Sequence, residues 1–322
     1  MRVIRLVLAA IAIVLFGSAA AQEFPSGPVR LIVPYPPGGG VDGMARPIAE
    51  RLSRIWGKPV VIDNKSGGST IIGSDAVAKS PPDGHTLLFT SDSSITSNPH
   101  LFASLPFDPI KDLMPVTQLI DLHQMVVVHP SVSANTMQEL VALAKAKPGT
   151  LNYGSYGSGS QPNLLFESLR VQTGAQIAHI PYKGIAPALA ATLAGEVQMT
   201  LGGAATTSGH IASGRMKPLA IGRAQRLKQY PDIPTLREAG FPDVDPRSWF
   251  GMFAPRGTPQ AVVDKIRNDV ARILADPEFD AREITGKGYT SVGSTPEEFA
   301  AFVKTDLDYK GKMIKSAGIK AE

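Results

Sequence analysis

The segment from residue 29 to residue 56 constrains the fold of this chain more than any other. The apolar run Val29–Val33 predicts a strand, and Gly38, Gly39 and Gly40 predict a loop after it. Four apolar residues then recur at the spacing of one helical face: Met44, Ile48, Leu52 and Ile55. The segment therefore predicts a strand, a glycine-rich loop and a helix in direct succession.

Two residues predict the ends of this helix. Asp42 stands where an N-cap accepts the free N–H groups of the first turn, and Gly57 stands where a helix stops. Glycines let the backbone approach a ligand, and a helix start directs N–H donors and a positive dipole end toward it. The segment predicts an anion-binding loop or, as the plain alternative, a turn without ligand. The glycines are not followed by the Gly-Lys-Ser/Thr of a Walker loop.

The first 21 residues have the pattern of a secretory signal peptide. Arg2 and Arg5 precede an apolar run at residues 6–16, and an Ala-x-Ala cleavage pattern at residues 19–21 precedes Gln22. Such a run is too short for a membrane span, which needs roughly twenty residues. We expect an exported protein that begins at Gln22.

Composition narrows the class of protein. The chain has 322 residues, enough for two domains, and contains no cysteine, which excludes disulfides and thiolate chemistry. Without Arg2 and Arg5, the 32 basic residues become 30 against 28 acidic ones, a balance that gives no indication of a nucleic-acid partner. Export without cysteine is typical of the bacterial periplasm.

Strand and helix patterns alternate along the chain, which predicts mostly parallel sheets. A third strand at residues 86–90 leads into a polar loop, where open α/β sheets place ligands. Two apolar runs at residues 116–120 and 125–128 leave no room for a helix between them, so we expect a strand that passes between two lobes. Two further small-residue loops follow strands, at residues 154–160 and 202–207.

Helix signals mark the second half of the chain. Thr136 with Glu139 and Thr295 with Glu298 predict capping boxes, and Pro187 predicts the first residue of another helix. The sequence thus predicts two α/β lobes whose glycine and hydroxyl loops face a cleft.

Catalytic chemistry finds little support. The six histidines lack metal-ligand spacing, and the nearest approach to a nucleophile elbow, at residues 153–157, lacks the first glycine of Gly-x-Ser-x-Gly. We predict no catalytic residues, no metal site and no cofactor.

Seven stretches carry a resemblance to a known family: 32–39, 81–88, 127–131, 143–149, 179–184, 248–251 and 293–299. In sequence and in order along the mature chain, they resemble the Bug/TctC extracytoplasmic solute receptors of tripartite tricarboxylate transport systems. The resemblance implies a type II periplasmic-binding fold, a binding protein rather than an enzyme, and a small carboxylate as ligand. It also implies membrane permease subunits as partners, and we expect a monomer.

The resemblance also implies lobe boundaries and a pocket. Lobe 1 would comprise residues 22–122 and 245–322, and lobe 2 residues 123–244. Backbone N–H groups and hydroxyls would hold the carboxylate. The expected ligand-binding residues are Tyr35, Pro37, Gly38, Gly39, Gly40, Asp42, Ser91, Asp92, Ser93, Ser94, Gly157, Ser158, Gly159, Ser160, Asn163, Gly202 and Gly203.

The chain departs from the family pattern at four places, which are Pro47, Asp92, Asn163 and the pair Gly202–Gly203. Pro47 predicts a kink near the start of its helix. Asp92 leads to the hypothesis that the ligand carries an amino, amide or ring-nitrogen donor, with a turn-capping aspartate as the alternative.

Other roles stay open for several residues and for the whole chain. Asp42 and Asn163 have helix capping as an alternative role, Tyr35 has packing, and Lys183 is either a solvated turn charge or a cation that steers ligands inward. In one alternative function, the chain presents its closed form to a membrane sensor kinase. In another, it is an exported enzyme on the same scaffold.

Overall fold

The computed structural model describes residues 24–223, 225–242 and 244–319, so the predicted signal peptide lies outside the described residues. The strands are β1 (Val29–Val33), β2 (Val60–Asn64), β3 (Thr86–Ser91), β4 (Leu113–Leu122), β5 (Gln124–Val128), β6 (Asn152–Ser155), β7 (Ala178–Pro181), β8 (Met199–Gly203), β9 (Lys217–Ile221), β10 (Ser248–Pro255) and β11 (Tyr289–Ser291). The α-helices are α1 (Gly40–Trp56), α2 (Ile71–Ala78), α3 (Asn98–Leu101), α4 (Met137–Ala146), α5 (Gln161–Thr173), α6 (Ile185–Ala194), α7 (Ala204–Ala212), α8 (Gln260–Leu274), α9 (Pro277–Phe279) and α10 (Pro296–Ala317).

The strands form two separate sheets. One has the order β11-β4-β10-β3-β1-β2, and the other has the order β7-β6-β8-β5-β9. We call the six-stranded sheet with its helices lobe 1, and the five-stranded sheet with its helices lobe 2. The predicted two-lobe α/β class is therefore confirmed.

The sheets are mixed, whereas the sequence predicted mostly parallel ones. Consecutive strand–helix–strand units do give parallel pairs, between β1 and both β2 and β3 and between β6 and both β7 and β8. The antiparallel pairs involve β4, β5, β9 and β10, the strands on either side of the passages between sheets. Their partners lie far away in sequence, so local alternation could not reveal them.

The chain passes between the two sheets at His123 and again between β9 and β10. His123 is the single residue between β4, in the six-stranded sheet, and β5, in the five-stranded one. Lobe 2 is therefore an insertion between two parts of lobe 1.

Helix α1 differs in detail from its prediction. Met44, Ile48 and Leu52 are fully buried, but Ile55 is 40% exposed because it lies in the last turn. The N-cap is Gly39, not Asp42, which lies inside the first turn. The helix continues through Pro47 from Gly40 to Trp56, and Gly57 ends it in the left-handed conformation as predicted.

Other helix starts also lie earlier than predicted. The polar segment after β3 is helical from Asp92 and includes the π-helical turn Ser93–Ser97, so it is not a loop. Helix α6 begins at Ile185, which makes Pro187 its third residue, and α7 begins directly after Gly203. The structure confirms the capping box of α10.

The lobes contact each other through their helices as well as through the crossing strands. Leu164 of α5 packs with Met313 and Ile314 of α10, and Leu101 adds to this cluster. The structure therefore has the two lobes packed together. Among the described residues, no helix has both the length and the apolar character needed to cross a membrane.

Candidate functional site

The first two predicted loops of lobe 1 lie side by side. The hydroxyl of Tyr35, after β1, is 2.7 Å from the Ser91 hydroxyl at the end of β3. Ser94 is 3.5 Å from the same Tyr35 hydroxyl and 2.5 Å from Thr90. Burial, together with the nearby charge of Asp92, raises the pKa of Tyr35, so its phenol stays a neutral hydrogen-bond donor.

The glycine loop between β1 and α1 leaves the helix start open. Gly38 has φ +83°, a conformation that favours glycine, and Gly39 is an N-cap without any side-chain hydrogen bond to the helix. A Cβ on Gly39 would meet only the Pro36 carbonyl oxygen, at 3.7 Å. The N–H groups of the first turn therefore have no side-chain cap.

Asp42 does not cap α1, and its carboxylate is already paired inside the protein. It accepts hydrogen bonds from the N–H of Gly38 at 2.8 Å, from Arg46 at 2.8 Å and from Asn64 at 2.9 Å. Burial alone would raise the pKa of Asp42, but the hydrogen bonds from Arg46, Gly38 and Asn64 hold it below its usual value. Asp42 thus fixes the glycine loop against the helix.

In lobe 2, the loop after β6 is held by Asn163. Its side-chain oxygen accepts from the N–H of Gly159 at 2.9 Å, and its amide nitrogen donates to the Tyr153 hydroxyl at 2.9 Å. Tyr153 in turn donates to Glu167 at 2.9 Å. Both polar ends of Asn163 are used in this way, so it positions the loop.

The remaining polar groups of this loop bond locally. Ser160 donates to the Gly157 carbonyl at 2.5 Å, and the Gly157 N–H donates to the Ser155 hydroxyl at 3.0 Å. Ser158 is half-buried between them. Ser160 is the N-cap of α5 without a side-chain bond to the helix, so this helix start too lacks a side-chain cap.

Ser155 and His179 form a close pair, with 2.5 Å between Oγ and Nε2. Ser155 is 0% exposed, and its hydroxyl also accepts from Gly157. A nucleophile must reach its substrate, so the burial of Ser155 favours a structural role that joins β6 to β7.

The loops of the two lobes face each other. The Gln161 amide nitrogen at the start of α5 donates to the carboxylate of Asp92. A Cβ on Gly159 would lie 2.1 Å from Leu101 Cδ1, so the lobe 2 backbone runs directly against a lobe 1 side chain. Burial raises the pKa of Tyr156, with further contributions from Asp92 and Tyr35 of lobe 1.

Asp92 has protein partners on both oxygens. Ser248 donates to Oδ1 at 2.8 Å, while Lys310 at 3.1 Å and Gln161 donate to Oδ2. Its side chain makes no capping bond to the helix that follows. The Asp92 carboxylate is therefore engaged in a buried ion pair with Lys310, and the alternative role as a turn cap is not seen. Burial, opposed by Lys310 and supported by Asp306, raises the pKa of Asp92.

Gly202 and Gly203 form hydrogen bonds with the neighbouring strand and with the helix that follows them. They are the last residues of β8 and pair with Met125 and Gln124 of β5. The carbonyl of Gly203 accepts from Thr207 at 2.9 Å. They lie next to the crossing, because the N–H of Ala204 donates to the His123 carbonyl at 2.8 Å.

Sequence patterns did not identify Tyr156, Gln161, Ser248 and Lys310 as residues of the site. One signal was available for Lys310, because α10 buries a stripe of apolar residues that two charged residues interrupt. The stripe consists of Phe299, Val303, Asp306, Lys310, Met313 and Ala317. A charged pair on an otherwise apolar helix face indicates a buried polar site.

The arrangement suits an anion more than a metal. Uncapped helix starts and tyrosine and serine hydroxyls supply donors, and helix N-termini favour negative charge. Within the described part of the chain, no group of three or more histidine, aspartate or glutamate side chains comes close enough to hold a metal ion.

Comparison with known proteins shows the family to which the chain belongs. The family model described as "Tripartite tricarboxylate transporter family receptor" matches residues 44–319. The chain is 34% identical to Protein BugT of Bordetella pertussis over 302 residues, which cover 94% of this chain and 92% of that protein.

Two solved structures are also similar to this chain over nearly its whole length. A structure described as "R. palustris Rpa4515 with adipate" is 32% identical, covers 92% of this chain and 99% of that one, and superimposes with a TM-score of 0.86. MatC from Rhodopseudomonas palustris with bound malate is 27% identical, covers 90% and 100%, and has a TM-score of 0.82.

Proposed function

Because this chain belongs to the tripartite tricarboxylate transporter receptor family, we propose that it captures a small organic acid between its lobes and delivers it to the transporter's membrane subunits. The relevant compartment is the periplasm, and residues 1–21 serve as the export signal. The proposed lobe boundaries place residues 22–122 and 245–322 in lobe 1 and residues 123–244 in lobe 2.

One observation carries the proposal: Gln161 at the start of α5 in lobe 2 donates to Asp92 of lobe 1, next to the Tyr35–Ser91 contact that joins the first two loops of lobe 1. Helix α1 contributes from lobe 1 and α5 from lobe 2, and each has a backbone start without a side-chain cap. A carboxylate placed between them receives charge-assisted hydrogen bonds from both sides. Ligand binding then favours the state in which the lobes are together.

The ligand class follows from the same donors and from relatives. Adipate and malate, bound to two structurally similar proteins, are both small dicarboxylates. The proposed contacts are Tyr35, Pro37, Gly38, Gly39, Gly40, Ser91, Ser93, Ser94, Gly157, Ser158, Gly159, Ser160, Gly202 and Gly203. Asp42 and Asn163 position the loops instead of touching the ligand.

Mass spectrometry of the purified protein tests the proposal. The mature chain, isolated from its native periplasm and then denatured, should release one small carboxylic acid in near-stoichiometric amount. Release of a sugar or a metal cation in place of an acid would contradict it. Chemical change of the acid on incubation with the protein would favour the exported-enzyme alternative.

Delivery to a transporter needs a separate test. Deletion of the gene should abolish uptake of the identified acid, and the wild-type gene should restore it. Normal uptake together with loss of acid-induced gene expression would favour the sensor-kinase alternative.

A further inference from the structure

Asp92 and Lys310 form an ion pair that has no contact with solvent. The exposed fraction is 0% for the Lys310 side chain and 1% for that of Asp92, and 3.1 Å separates Nζ from Oδ2. Lys310 also donates to the Arg247 carbonyl at 2.9 Å, and Ser248 donates to the other Asp92 oxygen at 2.8 Å. All four residues belong to lobe 1, so this pair persists whether or not the lobes are together.

One further donor to this pair comes from lobe 2. Gln161, the first residue of α5, is 0% exposed and donates from its amide nitrogen to the same Asp92 oxygen that Lys310 contacts. Hydrogen bonds to an ionised acceptor are stronger than neutral ones, and a dry environment strengthens them further. Gln161 therefore joins the lobes through a charged acceptor that lobe 1 holds in place.

Apolar packing surrounds the contact. Leu164, one turn after Gln161, packs against Met313 and Ile314, one turn after Lys310. The same two helices thus meet through a polar contact and an apolar one, side by side. Asp306, one turn before Lys310, is bound on one oxygen by Thr96 at 2.7 Å and Trp249 at 2.9 Å, which fixes α10 to the core of lobe 1.

We propose that Gln161 and the Asp92–Lys310 pair form a latch that holds the lobes together in the absence of ligand. The inference rests on the proposed two-lobe receptor function and adds the residues that set its resting state. The amide oxygen of Gln161 has no partner among the described residues, which offsets part of the gain. The latch should therefore shift the closed-to-open ratio by about tenfold.

A pair of spin labels measures this ratio directly. The chain has no cysteine, so Ser66→Cys and Lys183→Cys place two labels without background. Both residues are exposed and follow β2 and β7, the edge strands farthest from the crossing strands in the two sheets. Their separation, measured by double electron–electron resonance, reports on the mouth of the cleft.

The experiment compares ligand-free protein, prepared by unfolding, dialysis and refolding, with and without substitution of Gln161. The reference protein should show a short-distance population, and Gln161→Leu should lower its closed-to-open ratio about tenfold. Gln161→Glu, which brings a second carboxylate to Asp92, should open the cleft further. Gln138→Leu is the matched control, because the Gln138 amide donates to the Ala239 carbonyl inside lobe 2.

Two outcomes would overturn the latch. One is a ligand-free reference protein without any short-distance population, and the other is an unchanged ratio in both Gln161 variants. Calorimetry with carboxylates on the same samples separates this failure from that of the proposed function, because a receptor without a latch still binds its ligand.

Discussion

Arg223 donates from Nη1 to Nδ1 of His123 at 2.7 Å, at the residue where the chain passes from one lobe to the other. The same Nη1 is 3.0 Å from Nε2, which also lies 2.8 Å from the Thr290 hydroxyl. A guanidinium this close to both ring nitrogens disfavours a second positive charge on the imidazole and so favours its neutral form.

This geometry predicts a loss of stability in acid. Burial and the Arg223 charge lower the pKa of His123 to about 4, from an ordinary value of 6.5. A lowered pKa favours the neutral form in the folded state, so this contribution is present above pH 6.5 and is lost as the pH falls toward 4. The free energy of unfolding should drop by about 2 to 3 kcal/mol between pH 7 and pH 4.5 from this group.

Urea unfolding at a series of pH values measures the effect. His123→Gln, which cannot gain a proton, should flatten the pH dependence in that interval. The same slope in wild type and variant would show that His123 does not titrate as the structure predicts.

Gly39→Val should abolish ligand binding and leave the fold intact. The backbone of Gly39 lies at φ −76°, which any residue adopts, and a Cβ there has ordinary contacts only. The valine side chain would occupy the space in front of the helix start, so affinity should fall by more than about 100-fold. Calorimetry and thermal unfolding measure the two effects separately.

Gly43→Val is the matched control for that substitution. Gly43 lies in the same helix and is exposed, and a Cβ added there would have no neighbour within 4 Å. This variant should bind ligand normally. Normal affinity in Gly39→Val would instead remove the glycine loop from the site.

Asn163→Ala should weaken binding through the loop that Asn163 holds. The Gly159 N–H and one side of the Tyr153 hydroxyl would lose their partners, at a cost of about 1 to 3 kcal/mol of stability. Affinity should fall about tenfold because the loop is no longer fixed. Asn268→Ala, an exposed position on α8, should change neither quantity. Unchanged affinity in Asn163→Ala would show that the loop needs no such support.

Substitution of Asp42 and of Asp63 compares the stability contributed by a buried carboxylate with that contributed by a surface carboxylate. Asp42→Ala should cost about 2 to 4 kcal/mol, because the Gly38 N–H, Arg46 and Asn64 lose a shared acceptor. Asp63→Ala breaks the exposed pair with Arg30 and should cost at most about 1 kcal/mol. Equal losses in urea unfolding would contradict the role assigned to Asp42.

Local patterns predicted most of the elements, because strands such as β1 and the end of α1 at Gly57 depend on nearby residues alone. The mixed sheets could not be predicted, since β10 inserts between β3 and β4 from more than a hundred residues away. The motif at residues 32–39 located the glycine loop correctly, yet the cap moved from Asp42 to Gly39. Only the structure shows that the Asp42 carboxylate accepts a hydrogen bond from the Gly38 N–H.

The partner of a buried charge could not be predicted from the sequence either. Asp92 stood out as an unusual charge in the sequence, but its partner Lys310 is 218 residues further on. The residues next to Asp92 in the sequence do not indicate whether its carboxylate binds a ligand or forms an ion pair with a lysine. The end of α1 at Gly57 and the capping box of α10 were predictable from sequence, whereas several helix starts and the pairing of distant charges were not.

Titration calorimetry of the mature, ligand-free chain against mono- and dicarboxylates tests the central claim most directly. The account predicts that one acid binds per chain, that Gly43→Val retains this binding, and that Gly39→Val loses it. Failure of every carboxylate to bind, together with binding of a sugar or a metal cation, would contradict it.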